Sequence, residues 1–157
     1  MSEKTVPTLF EWMGGMPAIE RLFDVFYAKV PSDPLLAPVF ANMSADHVKH
    51  VSAFVAEVFG GPKAYGERFG GHPHMLERHM GRQLTEAQRA RWMQLLLQCA
   101  DEIGVPSDPE FRSALVAYLE WGTRIAVITS NAEPSDPGSS PMPKWGWGEP
   151  KGPFVAE

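Results

Sequence analysis

An all-α fold follows from three features of the sequence. Apolar residues recur at steps of three and four in several separate stretches, no run alternates apolar and polar residues long enough for a strand, and Gly or Pro breaks the joins between stretches. The chain is 157 residues long and 44% hydrophobic, enough for one core without disulfide or metal staples.

The first long helix is expected from Pro17 to Val30, where Ile19, Leu22, Phe23, Phe26 and Val30 form one stripe and Pro17 suits a first turn. The segment DPLLAPVF that follows is bracketed by prolines, so it supports at most a turn or two of helix and leaves Phe40 in a loop. Ser44 is placed to cap the next helix, which runs to Phe59 with Val51, Phe54, Val55 and Val58 on one stripe and His47 one turn before Val51. Residues 61–72 carry four glycines and read as an irregular connection. Pro73 then opens a short helix through His79, closed by Gly81.

Thr85-Glu86-Ala87-Gln88 is a capping box for a helix whose stripe is Trp92, Leu95, Leu96, Cys99 and Ile103, ended by Gly104. Asp108-Pro109 starts the last helix, with Phe111, Leu115, Leu119 and Ile125 or Ala126 inward, running to about Asn131. Composition then changes: the chain after Glu133 holds six prolines and four glycines around Trp145, Trp147 and Phe154. The expected organisation is a helical domain over residues 1–131 and an extended Pro/Gly-rich extension over 132–157. The stretch PKWGWGEP is aromatic for a linker, and Trp145 and Trp147 are expected to anchor it against the helical body or a neighbouring copy.

The formal charge of −5 and the absence of a Lys/Arg cluster argue against a nucleic-acid partner. No apolar run is long enough for a membrane span, and the N-terminal residues do not read as a secretory signal, so a cytoplasmic location is expected. Cys99 is the single cysteine, which excludes an internal disulfide and any Cys-rich zinc site. A bound metal would have to rest on histidine.

Three of the five histidines fall in GHPHMLERHMG, residues 71–81. His79, Leu76, Met75 and His72 share a helix face and His74 lies off it. Zinc needs three or four protein ligands, which one short helix cannot converge, and no metal-binding spacing elsewhere supplies the rest. Haem iron needs one axial imidazole, because the porphyrin fills four positions. His79 beside Leu76 and Met75, with Arg78 next to it, offers a ligand, an apolar wall and a cation for a propionate. A histidine satisfied within the core explains the same spacing.

The order of further motifs resembles the group II truncated haemoglobins, short globins with a two-over-two helical sandwich. The resemblance covers about Phe10 to Asn131 and rests on Gly14-Gly15, Phe26-Tyr27, PLLAPVF, FGGPKAYGERFGGHP, the ERH at 77–79 and Trp92 thirteen residues after His79. It implies haem b, with His79 as the proximal iron ligand and Arg78 pairing with a propionate. Tyr27 matches the family's distal tyrosine, Trp92 its hallmark tryptophan, and Phe40 the aromatic that wedges the porphyrin. His47 matches the distal gate, Val51 and Phe54 continue its stripe over the haem, and His50 matches a position that reaches a propionate. His47 and His50 are three residues apart and both remain candidates for the distal histidine. The chain departs from its relatives in polarity: many carry Tyr at the Phe40 position and a small residue at the His47 position.

The resemblance implies reversible binding of oxygen and other diatomic gases, carbon monoxide and nitric oxide among them. Tyr27, Trp92 and His47 are hydrogen-bond donors, so tight oxygen binding with slow release is expected, unless His47 itself ligates the iron. The alternative is an enzyme on the same fold that consumes nitric oxide or acts as a peroxidase. Such an enzyme needs a separate reductase, because no flavin or nicotinamide motif is present. Whether the protein forms a homodimer is open.

Overall fold

The computed structural model describes residues 5–133, 135, 136, 138 and 141–153. Among them are seven α-helices, one 3-10 turn and no strand. Helix α1 (Leu9–Met13) opens on a capping box in which the Thr8 hydroxyl accepts from Glu11 N–H and the Glu11 carboxylate from Thr8 N–H. This helix is too short to show an apolar period, and the Thr8/Glu11 pair was its only sequence signal. Gly14 ends it at φ +112°, a left-handed conformation that a side chain strains. Helix α2 (Gly15–Lys29) therefore starts two residues before Pro17 and buries Ile19, Leu22, Phe23, Phe26 and Tyr27.

Val30–Ser32 tightens into the 3-10 turn, and residues 34–42 continue as turns that leave Phe40 in a loop. Asp33 organises this loop. Its side chain is 6% exposed, accepts N–H bonds from Leu35 (3.0 Å) and Leu36 (3.1 Å), and receives the Arg91 guanidinium at 2.5 Å. The bonds draw Leu36 into the core and tie the Phe40 loop to the sixth helix.

Helix α3 (His47–Val58) begins two residues later than a Ser44 cap would set it, with Asp46 at its N-cap and no side-chain cap. Ser44 acts through its backbone instead: its carbonyl accepts His47 N–H at 3.1 Å, closing a turn ahead of the helix. The connection expected to be irregular holds a short helix, α4 (Ala64–Arg68), and the first turn of α5 (Gly71–His79). Tyr65 drives α4 by burying its ring, and the Glu57 carboxylate accepts Gly66 N–H at 2.7 Å. Gly70, at φ +92°, turns the chain into α5. Pro73 sits inside the first turn of α5 rather than opening it.

Helix α6 (Glu86–Glu102) starts at the Thr85/Gln88 capping box, and α7 (Pro109–Asn131) at Asp108, whose carboxylate accepts Phe111 N–H. The pair α2/α3 stacks on the pair α6/α7 through α2 against α6, and α5 leans on α7. This is the two-over-two arrangement, and no helix among the described residues is long and apolar enough to cross a membrane. Beyond α7, residues 141–147 run without regular structure: Trp145 N–H donates to Val58 C=O at 2.9 Å and Trp147 Nε1 to Pro7 C=O at 2.8 Å. Phe154 lies outside the described residues.

The Arg91 guanidinium beside Asp33 holds its carboxyl below the ordinary 3.8. A carboxylate depressed in the folded state stabilises the fold above its unfolded pKa, and that contribution is lost as pH falls through the folded value. Asp33→Ala should cost about 2 kcal/mol at pH 7. In urea denaturation followed by helical circular dichroism, the difference from the parent should shrink below about pH 4.

Candidate functional site

The two helix pairs enclose a cavity of ≈ 260 Å³. Helix α5 carries His79, Met75 and Leu76 to one wall, while α2 brings Tyr27 and α3 brings His47, Val51 and Phe54. Trp92 enters from α6, Phe40 from the loop held by Asp33, and His50, Arg78 and Arg82 also border the space. Every residue singled out from the sequence for this site thus borders one cavity. His72 lies two turns before His79 on the same wall, its ring 6.4 Å from Phe54. His74, set off that face by its spacing, borders the cavity as well and packs near Tyr65 at 6.4 Å.

His79 Nδ1 lies 2.8 Å from Met75 C=O. A carbonyl can only accept, so Nδ1 carries the proton and Nε2 keeps its lone pair. Burial lowers the His79 pKa, which holds the ring in this neutral, ligating form; the Met75 bond opposes the shift.

Tyr27 and His47 form a pair within the cavity. Tyr27 Oη lies 3.1 Å from His47 Nε2, with the direction of the bond following the imidazole tautomer. The rings meet edge to face at 4.9 Å, and Phe40 packs against both, at 5.4 Å from Tyr27 and 5.8 Å from His47. Burial raises the Tyr27 pKa far above that of a free phenol, with the Trp92 indole partly offsetting it, so Tyr27 remains a neutral O–H donor. Phe26 fixes the Trp92 ring edge to face at 5.4 Å. Burial first, then the charges of Arg78, His50, Arg82 and His79, lower the His47 pKa to about 4. His50 turns its ring onto Phe69 at 4.5 Å, apart from the Tyr27 pair.

The buried Arg89 at the cavity is paired with Glu86 and Glu120, and the remaining arginines at the cavity sit on its rim. Arg78 is exposed, Arg82 Nε donates to Arg78 C=O at 2.7 Å, and neither has an ion-pair partner among the described residues. No three His, Cys, Asp or Glu side chains among those residues converge as a metal-ligand group. One neutral imidazole, apolar walls and free rim cations suit a flat, largely apolar group that supplies most of its own metal ligands and carries anionic edges, as haem does.

Two contributions escaped the sequence reading. Arg82 has no spacing signal beyond its position three residues after His79. The C-terminal half of α7 supplies a wall through Leu119, Gly122, Thr123, Ile125 and Ala126. Its signal was Gly122 inside a helix, where glycine is unfavourable. The Tyr118 ring lies 3.7 Å from the position a Cβ would take there.

The sequence model of the bacterial-like globins matches residues 8–122. The chain is 30% identical over 119 residues to the group 2 truncated hemoglobin YjbI of Bacillus subtilis, a match that covers 76% of this chain and 88% of that protein. The group II truncated hemoglobin of Bacillus anthracis superposes with a TM-score of 0.72 at 30% identity, covering 82% of this chain and 97% of its own. The truncated oxygen-avid haemoglobin of Bacillus subtilis gives a TM-score of 0.68 at 29% identity, covering 77% and 99%.

The depressed pKa of His47 has a testable sign. Between about pH 6.5 and 4 the unfolded chain takes up a proton that the folded ring refuses, so this ring withdraws stability as pH falls through that window. Nuclear magnetic resonance of the cofactor-free protein should show the His47 ring titrating near pH 4, and a midpoint above 6 would contradict its burial.

Proposed function

The chain belongs to the bacterial-like globins, as a group II truncated haemoglobin, and from that premise we propose that it binds oxygen tightly at a haem held by His79. Globins of this family carry haem b and bind diatomic gases such as oxygen. The observation that carries the proposal is the His79–Met75 bond at 2.8 Å, which leaves a neutral Nε2 on the wall of an apolar cavity. When bound, haem would supply an iron able to take an imidazole from the protein and a diatomic gas.

The chain's own residues supply the rest. His79 would hold the iron, and Met75 C=O fixes its tautomer and ring orientation. Met75, Leu76, Val51 and Phe54 exclude water, and Phe40 wedges the ring system from the loop. Arg78 and His50 take the propionates. A bound oxygen molecule would carry partial negative charge, whereas carbon monoxide would carry little. Tyr27 O–H and Trp92 Nε1–H would therefore favour oxygen and slow its escape, and His47, by donating Nε2–H to Tyr27 Oη, would leave the phenol's own proton free for it. With about 1.5–3 kcal/mol for each hydrogen bond to a charged acceptor, two such donors slow release about a hundredfold or more.

The 3.1 Å bond to Tyr27 commits His47 Nε2 to the phenol, which would keep it from serving as a second iron ligand. The ferric protein would accordingly not use His47 as a ligand. Consumption of nitric oxide or peroxide would draw electrons from a separate reductase; no arrangement in the cavity favours that chemistry over gas binding.

An absorption spectrum of the purified protein in the ferric, reduced and carbon monoxide-treated states tests the proposal. The expected result is an intense Soret band that shifts with carbon monoxide and high-spin ferric bands at neutral pH. Lack of a Soret band after reconstitution with haem would overturn the reading. His79→Gly should lose stoichiometric haem binding and recover it with added imidazole. Tyr27→Phe should raise the oxygen dissociation rate by about tenfold or more in stopped-flow measurements.

A further inference from the structure

The segment after α7 lies outside the globin match, yet it reaches the cavity wall from behind. Its two tryptophans have separate neighbours. Trp147 is 8% exposed and packs against Trp12 at 6.0 Å and Phe111 at 6.4 Å, with its indole N–H on Pro7 C=O. None of these partners borders the cavity. Trp145 packs against Tyr118 at 5.6 Å and Trp121 at 5.7 Å, and both of those do border it.

Trp145 also joins the two sides of the cavity. Its backbone N–H donates to Val58 C=O, in the last turn of α3, where helix carbonyls lack partners of their own. Its ring lies on α7 against Tyr118 and Trp121. Phe59, just past α3, meets Tyr118 edge to face at 5.3 Å and completes the layer. Helix α3 carries His47, Val51 and Phe54, and α7 carries the wall through Leu119, Ile125 and Ala126. One residue of the extension therefore braces both against each other.

Gly122 makes this brace matter. With no side chain there, the α7 wall at that turn is backed by the Tyr118 ring, and Trp145 lies behind that ring. Close-packed layers transmit the loss of one member to the next.

We propose that Trp145 is a positioning residue of the haem site, which holds Tyr118 and Trp121 in the α7 wall so that the cavity retains the cofactor, while Trp147 only fastens the extension to the body. The inference rests on the haem reading above. It gives the C-terminal extension a part in the cofactor site that the globin body alone does not provide.

The test uses the full chain loaded with haem and measures haem transfer to an excess of a high-affinity apoglobin trap, alongside thermal unfolding. Trp145→Ala keeps the backbone bond to Val58 and removes only the ring; it should speed haem loss about tenfold. Trp145→Phe should restore most of the parent rate. Trp147→Ala should lower the unfolding temperature and leave haem loss within about twofold of the parent. In the cofactor-free chain, hydrogen exchange around residues 118–122 should rise in Trp145→Ala and stay at the parent level in Trp147→Ala. Equal haem loss in Trp145→Ala and the parent would overturn the inference while leaving the haem reading intact. Equal acceleration by both alanine variants would also overturn it, since general loosening would then suffice. A parent chain without a Soret band would overturn the haem reading, and this inference with it.

Discussion

The hydrogen bond from His79 Nδ1 to Met75 C=O is the constraint from which the site follows. It links two residues of one helical turn, so α5 needs only to form for the imidazole to be oriented and its tautomer chosen. The bond also fixes what the surroundings must be. Burial favours the neutral ring further, and its second nitrogen is left beside the cavity. Helices α3 and α7 enclose that cavity. Asp33, which draws the Phe40 loop inward, and Trp145, which bridges α3 to α7, act on its margins.

Charge is distributed in keeping with that constraint. Buried ionisable groups facing the cavity are held in neutral forms: burial raises Tyr27 and lowers His47 and His79. Arg89 is the buried cation at the cavity, and it is neutralised by Glu86 and Glu120. The free cations, Arg78 and Arg82, sit at the rim, where water screens them until an anionic group arrives. A low-dielectric interior with neutral donors and a cationic edge is an environment that holds an amphiphilic ring in one orientation, because reversing the ring would bury its acidic edge.

Much of this was legible in the sequence wherever the signal is local. The Thr85/Gln88 capping box and the Asp108-Pro109 start mark α6 and α7 where they occur, and helical spacing puts His79, Met75 and Leu76 on one face. The failures share a physical cause. Ser44 is a good cap by type, but residues 41–46 bend in turns set by the Asp33 loop, so its carbonyl closes a turn and its side chain caps nothing. Glycines around Tyr65 looked like punctuation, yet one buried ring and the Glu57 carboxylate were enough to order a short helix. The α7 wall and the partners of Trp145 depend on packing between segments distant in sequence, which local spacing does not encode.

The exchange of polarity between the loop and α3 is a structural choice of this chain. Phe40 offers no hydroxyl in the loop, and the imidazole of His47 stands in the first turn of α3. A donor on a helix is held more firmly than one on a loop, because the backbone beneath it has fewer conformations. Here the ring is also clamped edge to face by Tyr27 and Phe40 and tied to the Tyr27 hydroxyl. The loss of the loop hydroxyl therefore leaves the distal side with a preorganised pair, in which Phe40 supplies the apolar contact that holds His47 against Tyr27.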